Sequence, residues 1–263
     1  MWKRRSNVDD RRMRRPLRAA AALLATSLLA GTLASPAAAS TPPPTSTRFP
    51  RMIYYRQFRR PLRPHTWTVY QGQPTCCKDS YWAKSHVVTR KGALRIRTYR
   101  DPAFGNRWVS GGVSMARLVN QTYGRWVVRF RMNRGTGVGM DVALRPSGDG
   151  TVVDWIEESS DHGALRNLET ATLHYGGTRV HAHVQADFTN WHTMTLAWVP
   201  GLITVRLDGR RWAAYRSHIP SSPMHLTMQT NTGTNGFTGV LPDASTPPRV
   251  TLQVDYVAVY RYH

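Results

Sequence analysis

Apolar residues recur at every second position in short runs after about residue 51, and Gly, Asn and Pro separate these runs. This period of two is typical of β-strands with one buried face, and no long stretch of the same region shows the 3.6-residue period of a helix. The clearest runs are residues 93–97, 125–132, 138–144, 170–174, 193–198, 203–207, 226–229 and 250–260. Asp208-Gly209 suits a tight hairpin turn after one of them. The pattern predicts an all-β fold of two packed antiparallel sheets.

The chain of 263 residues fits one folded domain preceded by an export signal. Residues 1–39 carry a basic segment, an apolar run over 19–34 and a small-residue exit at Ala37-Ala38-Ala39, which is the pattern of a signal peptide. The apolar run is shorter than the roughly 20 residues of a spanning helix, so we expect cleavage and no stable membrane span afterwards. Arg14-Arg15 fits twin-arginine export as well as a general secretory signal, and both stay open.

Residues 40–50 form a Pro/Thr/Ser tract that we expect to be extended and unpacked. This tract would join the signal to a folded domain over residues 51–263. The predicted product is a secreted or cell-surface protein, and we expect a monomer.

The chain is strongly basic, with a formal net charge of +21. Without residues 1–39 it keeps 28 Lys and Arg against 13 Asp and Glu, a net of +15. Such a charge favours acidic partners, including anionic wall polymers, acidic polysaccharides, membrane surfaces and nucleic acid. The arginines are dispersed, however, and often alternate with apolar residues, as solvent faces of strands do. No helix-turn-helix, zinc-knuckle or ribonucleoprotein pattern is present, so we expect no nucleic-acid binding.

Cysteine and histidine give little sign of a cofactor. Cys76 and Cys77 are adjacent, which permits only a strained ring or pairing with other chains, and a loop feature is favoured over a catalytic thiol. His181 and His183 would share one strand face at a spacing that could hold a metal ion, but no third ligand is nearby in the sequence. We therefore interpret them as surface histidines and expect no metal and no cofactor.

The segment 151–158 contains Glu157 and Glu158, two of the chain's three glutamates, the third being Glu169. On a regular strand Asp154 and Glu157 would point to opposite faces. One extra residue after Asp154, a β-bulge, would bring both carboxyl groups to one side, a few ångströms apart, where they could flank a glycosidic bond. Glu158 would then be the solvent-facing glutamate, and without the bulge Glu157 and Glu158 would exchange roles.

This pattern resembles the signature of glycoside hydrolase family 16, which runs Glu-x-Asp-x-x-Glu on a bulged strand and continues into Thr-Leu-His-Tyr-Gly. Here the continuation is residues 172–176. Further landmarks similar to that family follow in order at residues 99–102, 108–113, 121–126, 187–193, 198–201, 207–209 and 254–260. The resemblance implies a concanavalin-like β-sandwich, or jelly roll, with a concave glycan-binding sheet.

By the same resemblance Glu157 is the catalytic acid/base, and Asp154 is the central carboxylate that tunes it. Val152 stands where the family has its nucleophilic Glu, so the usual retaining mechanism is compromised. Three alternatives remain: Asp154 takes the nucleophile's role, Asp154 activates water in an inverting reaction, or no hydrolysis occurs. If there is no cleft, Glu157 is merely a solvated edge residue.

Further residues are candidates for contact with a glycan. Trp108, Trp155 and Trp191 could stack on sugar rings, although each could instead belong to the core. His174 could hydrogen-bond a sugar hydroxyl or be a satisfied core histidine, and Gln229 lies in a polar run that could line the same face. Arg145 precedes Pro146 where the family has an aromatic residue, and a cation there favours a different or anionic glycan.

Three functions fit these residues. The first is a secreted glycosidase, an endo-acting hydrolase of a β-linked polysaccharide such as a β-1,3-glucan, a β-1,3-1,4-glucan or a galactan. The second is a catalytically inactive glycan-binding pseudoenzyme that holds an acidic or wall polysaccharide without cutting it. The third is a basic cell-surface interaction protein in which the sandwich is only a scaffold.

Overall fold

Two antiparallel sheets face each other in the computed structural model, which describes residues 41–63, 65–74, 79–148, 150–158, 161–233 and 239–263. One sheet has nine strands: β1 (Arg51–Gln57), β3 (Val87–Arg90), β4 (Ala93–Asp101), β5 (Arg107–Val109), β7 (Gly124–Met132), β12 (His192–Val199), β13 (Leu202–Leu207), β14 (Arg210–Tyr215) and β16 (Val250–Arg261). Their order is β14-β13-β12-β7-β16-β4-β3, with β1 paired to β16 and β5 paired to β4.

The other sheet has seven strands and carries the predicted carboxylates. It contains β2 (Thr68–Val69), β6 (Gly112–Ser114), β8 (Val138–Pro146), β9 (Val152–Glu157), β10 (Leu168–Tyr175), β11 (Thr178–Gln185) and β15 (Met224–Thr232). Their order is β11-β10-β9-β8-β15-β6-β2. Short 3₁₀ turns at Lys84–His86, Pro102–Phe104 and Asp161–Ala164 connect some of the strands.

The alternating runs predicted as strands all fall within strands of the structure, so the predicted fold class is confirmed. The hairpin is also confirmed, because Asp208-Gly209 alone joins β13 to β14 with φ angles of 48° and 84°, the left-handed values of a two-residue turn. Strand β11 was not among the predicted runs. Val180, Ala182 and Val184 alternate with polar residues along it, but β11 is the edge strand of its sheet and most of its residues are exposed.

The core lies between the two sheets and explains why the alternation is so regular. Strand β8 shows this directly, because Met140, Val142 and Leu144 are fully buried in the core. The residues between them, Asp141 and Ala143, belong to the face of the sheet that turns away from the core. The sandwich therefore positions every second residue of β8 where a ligand-binding surface could form.

The composition of the Pro/Thr/Ser tract predicts an unpacked segment, and this prediction is wrong. Residues of the tract 41–50 contact the nine-stranded sheet. The Tyr256 hydroxyl donates to the Thr41 carbonyl at 3.2 Å, and the Tyr260 hydroxyl donates to the Pro43 carbonyl. Arg125 lies over the Tyr260 ring and donates to the Pro44 carbonyl at 2.5 Å. These hydrogen bonds to backbone carbonyls hold the start of the tract against the sheet without strands of its own.

The predicted export signal, residues 1–39, lies outside the described residues, as do Cys76 and Cys77. Among the residues that are described, the structure has no helix long and apolar enough to cross a membrane.

Candidate active site

Strand β9 contains the bulge that the carboxylate spacing requires. On β8, Val142 pairs with Ile156 and Ala143 pairs with Asp154, so a single step on β8 is matched by two steps on β9. The register against β10 shifts at the same place. Trp155 and Ile156 are both fully buried as a result, and Asp154 and Glu157 emerge on the same face. The predicted bulge after Asp154 is therefore confirmed.

We call this surface the carboxylate face. It is the side of the seven-stranded sheet turned away from the core, and it is formed by alternate residues of β8, β9 and β10: Asp141, Ala143, Arg145, Val152, Asp154, Glu157, Thr170, Thr172 and His174.

Asp154 lies at the centre of the carboxylate face. Its Oδ2 is 2.7 Å from Nε2 of His174, and its Oδ1 is 3.5 Å from Nη2 of Arg145. A carboxylate oxygen of Asp154, a carboxylate oxygen of Glu157 and a ring nitrogen of His174 all lie within 4.8 Å of one another. Asp154 is thus fixed between two basic groups, with the second carboxyl group close by.

Glu157 is held by the next strand, and its pKa is raised. Its Oε2 accepts a hydrogen bond from the Thr172 hydroxyl at 2.8 Å. Burial raises the pKa of Glu157, and the negative charge of Asp154 raises it further, although the Thr172 hydrogen bond and His174 partly oppose this. A carboxyl group with a raised pKa stays protonated closer to neutral pH, as proton donation to a leaving group requires.

Asp141 is a third carboxylate of the site, and sequence reasoning missed it. It lies opposite Glu157 on β8, where its Oδ2 accepts from Arg145 at 2.7 Å and from Gln229 at 3.1 Å. Burial, followed by the charge of Asp154, raises the pKa of Asp141 well above its usual range, against the opposing effect of Arg145. A signal was present in the sequence, since Asp141 is the single acidic residue in the alternating run 138–144.

Arg145 reaches the centre of the carboxylate face along its own strand. Its guanidinium contacts Asp141 four residues back, and Ala143, the residue between them on this face, has a side chain small enough to leave the space open. Burial would lower the pKa of Arg145, but Asp141 and Asp154 outweigh this and raise it above the ordinary value. Arg145, which the sequence suggested as a glycan contact, lies beside the carboxylates of Asp141 and Asp154, and its guanidinium stays charged there.

Val152 lies opposite His174 on β10 and is partly exposed. It offers no polar atom to a ligand. The carboxylate face therefore combines the carboxyl groups of Asp154 and Glu157 with an apolar side chain at Val152.

Glu158 is buried, which corrects the prediction that it faces solvent. It is 1% exposed and forms an ion pair with the guanidinium of Arg166, which is itself fully buried. The guanidinium also donates to the carbonyls of Asn133 and Val138, each at 3.0 Å. Glu169 is buried beside the same arginine, and burial raises its pKa well above the usual range while the arginine charge opposes this. Arg166 is thus paired with Glu158 and lies beside Glu169 inside the sandwich, directly beyond Glu157.

Arg166→Met should lower the free energy of unfolding by about 3–5 kcal/mol, because it leaves Glu158 and Glu169 buried without a cation. Urea unfolding followed by intrinsic tryptophan fluorescence measures this. Arg216→Met is the matched control, since Arg216 is exposed and should change stability by less than about 0.5 kcal/mol. Equal effects of the two substitutions would contradict the buried ion-pair assignment.

The predicted aromatic contacts do not gather at the carboxylate face. Trp155 is fully buried in the core, because the bulge turns it inward, so the prediction that it contacts a glycan is wrong. Trp191 lies against Arg129 and Arg131, at 4.8 and 4.7 Å from ring centroid to guanidinium carbon, and β7, which carries both arginines, belongs to the nine-stranded sheet. Trp108 lies on β5, opposite Arg100 of β4 in that sheet. Neither Trp191 nor Trp108 contacts the carboxylates.

His174 and Gln229 do reach the carboxylate face, through Asp154 and Asp141 respectively. His181 and His183 lie on β11 with ring centroids 5.1 Å apart, and His183 Nδ1 is 3.0 Å from the Thr170 hydroxyl. Among the described residues, it is instead Asp154, Glu157 and His174 whose ligand atoms lie close enough together for a metal ion. In this structure His174 and Asp154 are within hydrogen-bonding distance of each other.

Comparison with known proteins supports the fold and leaves the family open. No protein-family profile matches the chain, and no curated protein matches it. Solved structures do match. The laminarinase of Rhodothermus marinus is 20% identical with a TM-score of 0.71, covering 81% of this chain and 97% of that one. LamA of Zobellia galactanivorans, solved as a variant with laminaritriose and laminaritetraose, is 16% identical with a TM-score of 0.69, covering 81% and 100%.

A third match is SCLam, described as a non-specific endo-β-1,3(4)-glucanase from family GH16. It is 19% identical with a TM-score of 0.69, covering 85% of this chain and 95% of that one. The two-sheet sandwich of this chain is therefore the β-sandwich fold of the family 16 glucanases.

Proposed function

We propose that the protein is a secreted glycoside hydrolase that acts on a β-linked polysaccharide at the carboxylate face, with Glu157 as the acid and Asp154 as the second carboxylate. The observation that carries this proposal is the bulge of β9, which brings an Asp154 and a Glu157 oxygen within 4.8 Å of each other on one face. Export through residues 1–39 is part of the proposal.

The short separation favours retention over inversion. Carboxyl groups of retaining glycosidases stand about 5 Å apart, whereas inverting enzymes need roughly 6.5–9.5 Å to admit a water molecule. In the first step Glu157 would protonate the glycosidic oxygen while an Asp154 oxygen attacks the anomeric carbon, which releases the leaving sugar and leaves a glycosyl ester. Glu157, now ionised, would take a proton from water, and the resulting attack on the anomeric carbon would free Asp154.

The matched structures and the basic residues beside the carboxylates support a choice of polysaccharide class. Structures of this fold are laminarinases and endo-β-1,3(4)-glucanases, and LamA binds laminaritriose and laminaritetraose, which makes a β-1,3-linked glucan the first backbone to consider. Arg145 and His174 reach the site, and Arg179 lies opposite His174 on β11. These groups favour a glycan with anionic substituents, such as a cell-wall polymer.

A depression beside His174 supplies room for such a substituent. It has a volume of about 240 Å³ and is lined by His174, Arg179, Gly150 and the turn 175–178. Glycines in the turn and at Gly150 leave the backbone open to a ring or a charged group. Arg179 is exposed and is the cation that a sulfate or carboxylate in this depression would meet.

A second function, glycan binding without cleavage, is favoured by one specific observation. Asp154 already lies within ion-pair distance of His174 and Arg145, and Val152 provides no replacement nucleophile. A carboxylate held by two basic groups is a weaker nucleophile, so binding at the carboxylate face could persist with no turnover.

The test is reducing-end release by the purified protein from neutral β-1,3-glucan, mixed-linkage glucan, galactan and carboxymethylated β-1,3-glucan. We expect turnover of a β-linked substrate, with the carboxymethylated glucan cut faster than its neutral parent. Affinity electrophoresis on the same glycans measures binding separately. Retardation without turnover would replace hydrolysis by the binding function, and neither retardation nor turnover on any of them would contradict both.

A further inference from the structure

A second cavity opens at the edge of the sandwich, away from the carboxylate face. It has a volume of about 610 Å³ and lies where the edge strand of each sheet leaves the core uncovered, β2 in one sheet and β3 in the other. Its lining comes from β2, β3, the segment 61–63, Trp67, Lys84 and Arg117. Cavities of 300–1,000 Å³ with apolar walls and a few polar groups are typical of small-molecule sites.

The floor of this edge cavity is aliphatic and aromatic. Leu62, Val69 and Val87 are partly exposed and pack against the main core, and Trp67 is almost completely buried beneath them. An apolar group placed on these side chains would remove them from water at about 25 cal/mol for each Å² buried. These apolar side chains therefore favour a hydrocarbon chain, and the hydroxyl-bearing residues Thr68 and Thr89 complete the walls of the cavity.

The rim of the edge cavity is cationic. Arg63, Lys84 and Arg117 are exposed, and none of these three side chains forms an ion pair with a described residue. None of the described residues that line the cavity is acidic. Three unpaired cations around an apolar floor complement a ligand with a hydrocarbon chain and an anionic head.

We propose that the edge cavity binds a single-chain anionic amphiphile, with its hydrocarbon chain on Leu62, Val69 and Val87 and its carboxylate or phosphate head on Arg63, Lys84 and Arg117. This site is independent of glycan hydrolysis. Strand β2 is the fourth strand from β9 in the sheet order, so the two sites are separated by about 19 Å at the usual spacing between strands.

Isothermal titration calorimetry with dodecanoate, below its micellar concentration, tests the proposal on the purified protein. We expect saturable one-to-one binding to native protein and at least tenfold weaker binding of dodecanol and of dodecyltrimethylammonium. The triple variant R63E/K84E/R117E should bind dodecanoate at least tenfold more weakly. The matched control, R206E/R210E/R216E, makes the same charge change at exposed arginines near β13 and β14 and should bind like the native protein.

Leu62→Asp supplies a second test of the floor and should weaken binding at least tenfold while the near-ultraviolet circular dichroism stays native. Equal affinity for the anionic and cationic amphiphiles, equal loss in both triple variants, or no saturable binding would overturn the proposal. Binding only to anionic lipid vesicles, with none to free dodecanoate, would overturn it too, because it would indicate a charged surface and not a cavity. Glu157→Gln should leave dodecanoate binding unchanged.

Discussion

Glu157→Gln should reduce glycan hydrolysis by about 10²–10⁴-fold, the usual contribution of a general acid. The substitution keeps the size of the side chain and can still contact Thr172, but it removes the proton that the leaving group needs. Initial rates of reducing-end release, measured at saturating glycan, give the loss in kcat. Affinity electrophoresis should show that the variant still binds the glycan.

The pH profile separates a catalytic role from a structural one. Because burial and Asp154 raise the pKa of Glu157, native activity should persist above the pH range where an ordinary glutamic acid ionises, and should fall as the pH rises through that raised pKa. Residual activity of Glu157→Gln should lack this fall. Asp255→Asn, which makes the same chemical change in the nine-stranded sheet, should keep both rate and profile. A similar loss in Asp255→Asn would contradict the assignment.

Val152→Glu should raise the hydrolytic rate by about 100-fold or more, because it places a carboxylate on the same face as Asp154 and Glu157, where the resemblance to family 16 implies a nucleophile. His174, opposite Val152, can hold the new carboxylate by a charged hydrogen bond. Reducing-end release on the preferred glycan measures the gain, and trapping of a glycosyl ester on residue 152 by mass spectrometry locates it.

Val152→Gln is the matched control, since it has the size and polarity of the glutamate without its charge. It should show no gain. An equal increase in both variants would indicate an effect of packing or binding, and no increase in either would contradict the view that the absent carboxylate limits turnover.

The bulge and the strands could be predicted from the sequence because both depend on local patterns. Alternating apolar residues define β8, and on β9 the spacing from Asp154 to Glu157 has chemical sense only with an extra residue between them. The same bulge explains one wrong prediction, since it turns Trp155 and Ile156 inward together. Simple alternation assigns neighbouring residues to opposite faces and therefore could not place Trp155.

Contacts between distant segments could not be predicted. Glu158 is buried because Arg166, in the connection between β9 and β10, neutralises it, and nothing at Glu158 itself indicates that partner. Asp141 joins the site because β8 pairs with β9 in one particular register. The tract 41–50 is ordered by hydroxyl groups near the other end of the chain, at Tyr256 and Tyr260.

The central claim is that Asp154 and Glu157 cleave a β-linked glycan as a retaining pair. Proton NMR of a β-1,3-glucan during hydrolysis by the native protein tests this most directly, because the first reducing ends are observed before they mutarotate. We predict that the β-anomer appears first. The α-anomer appearing first, or no new reducing ends while the glycan remains bound, would contradict the claim.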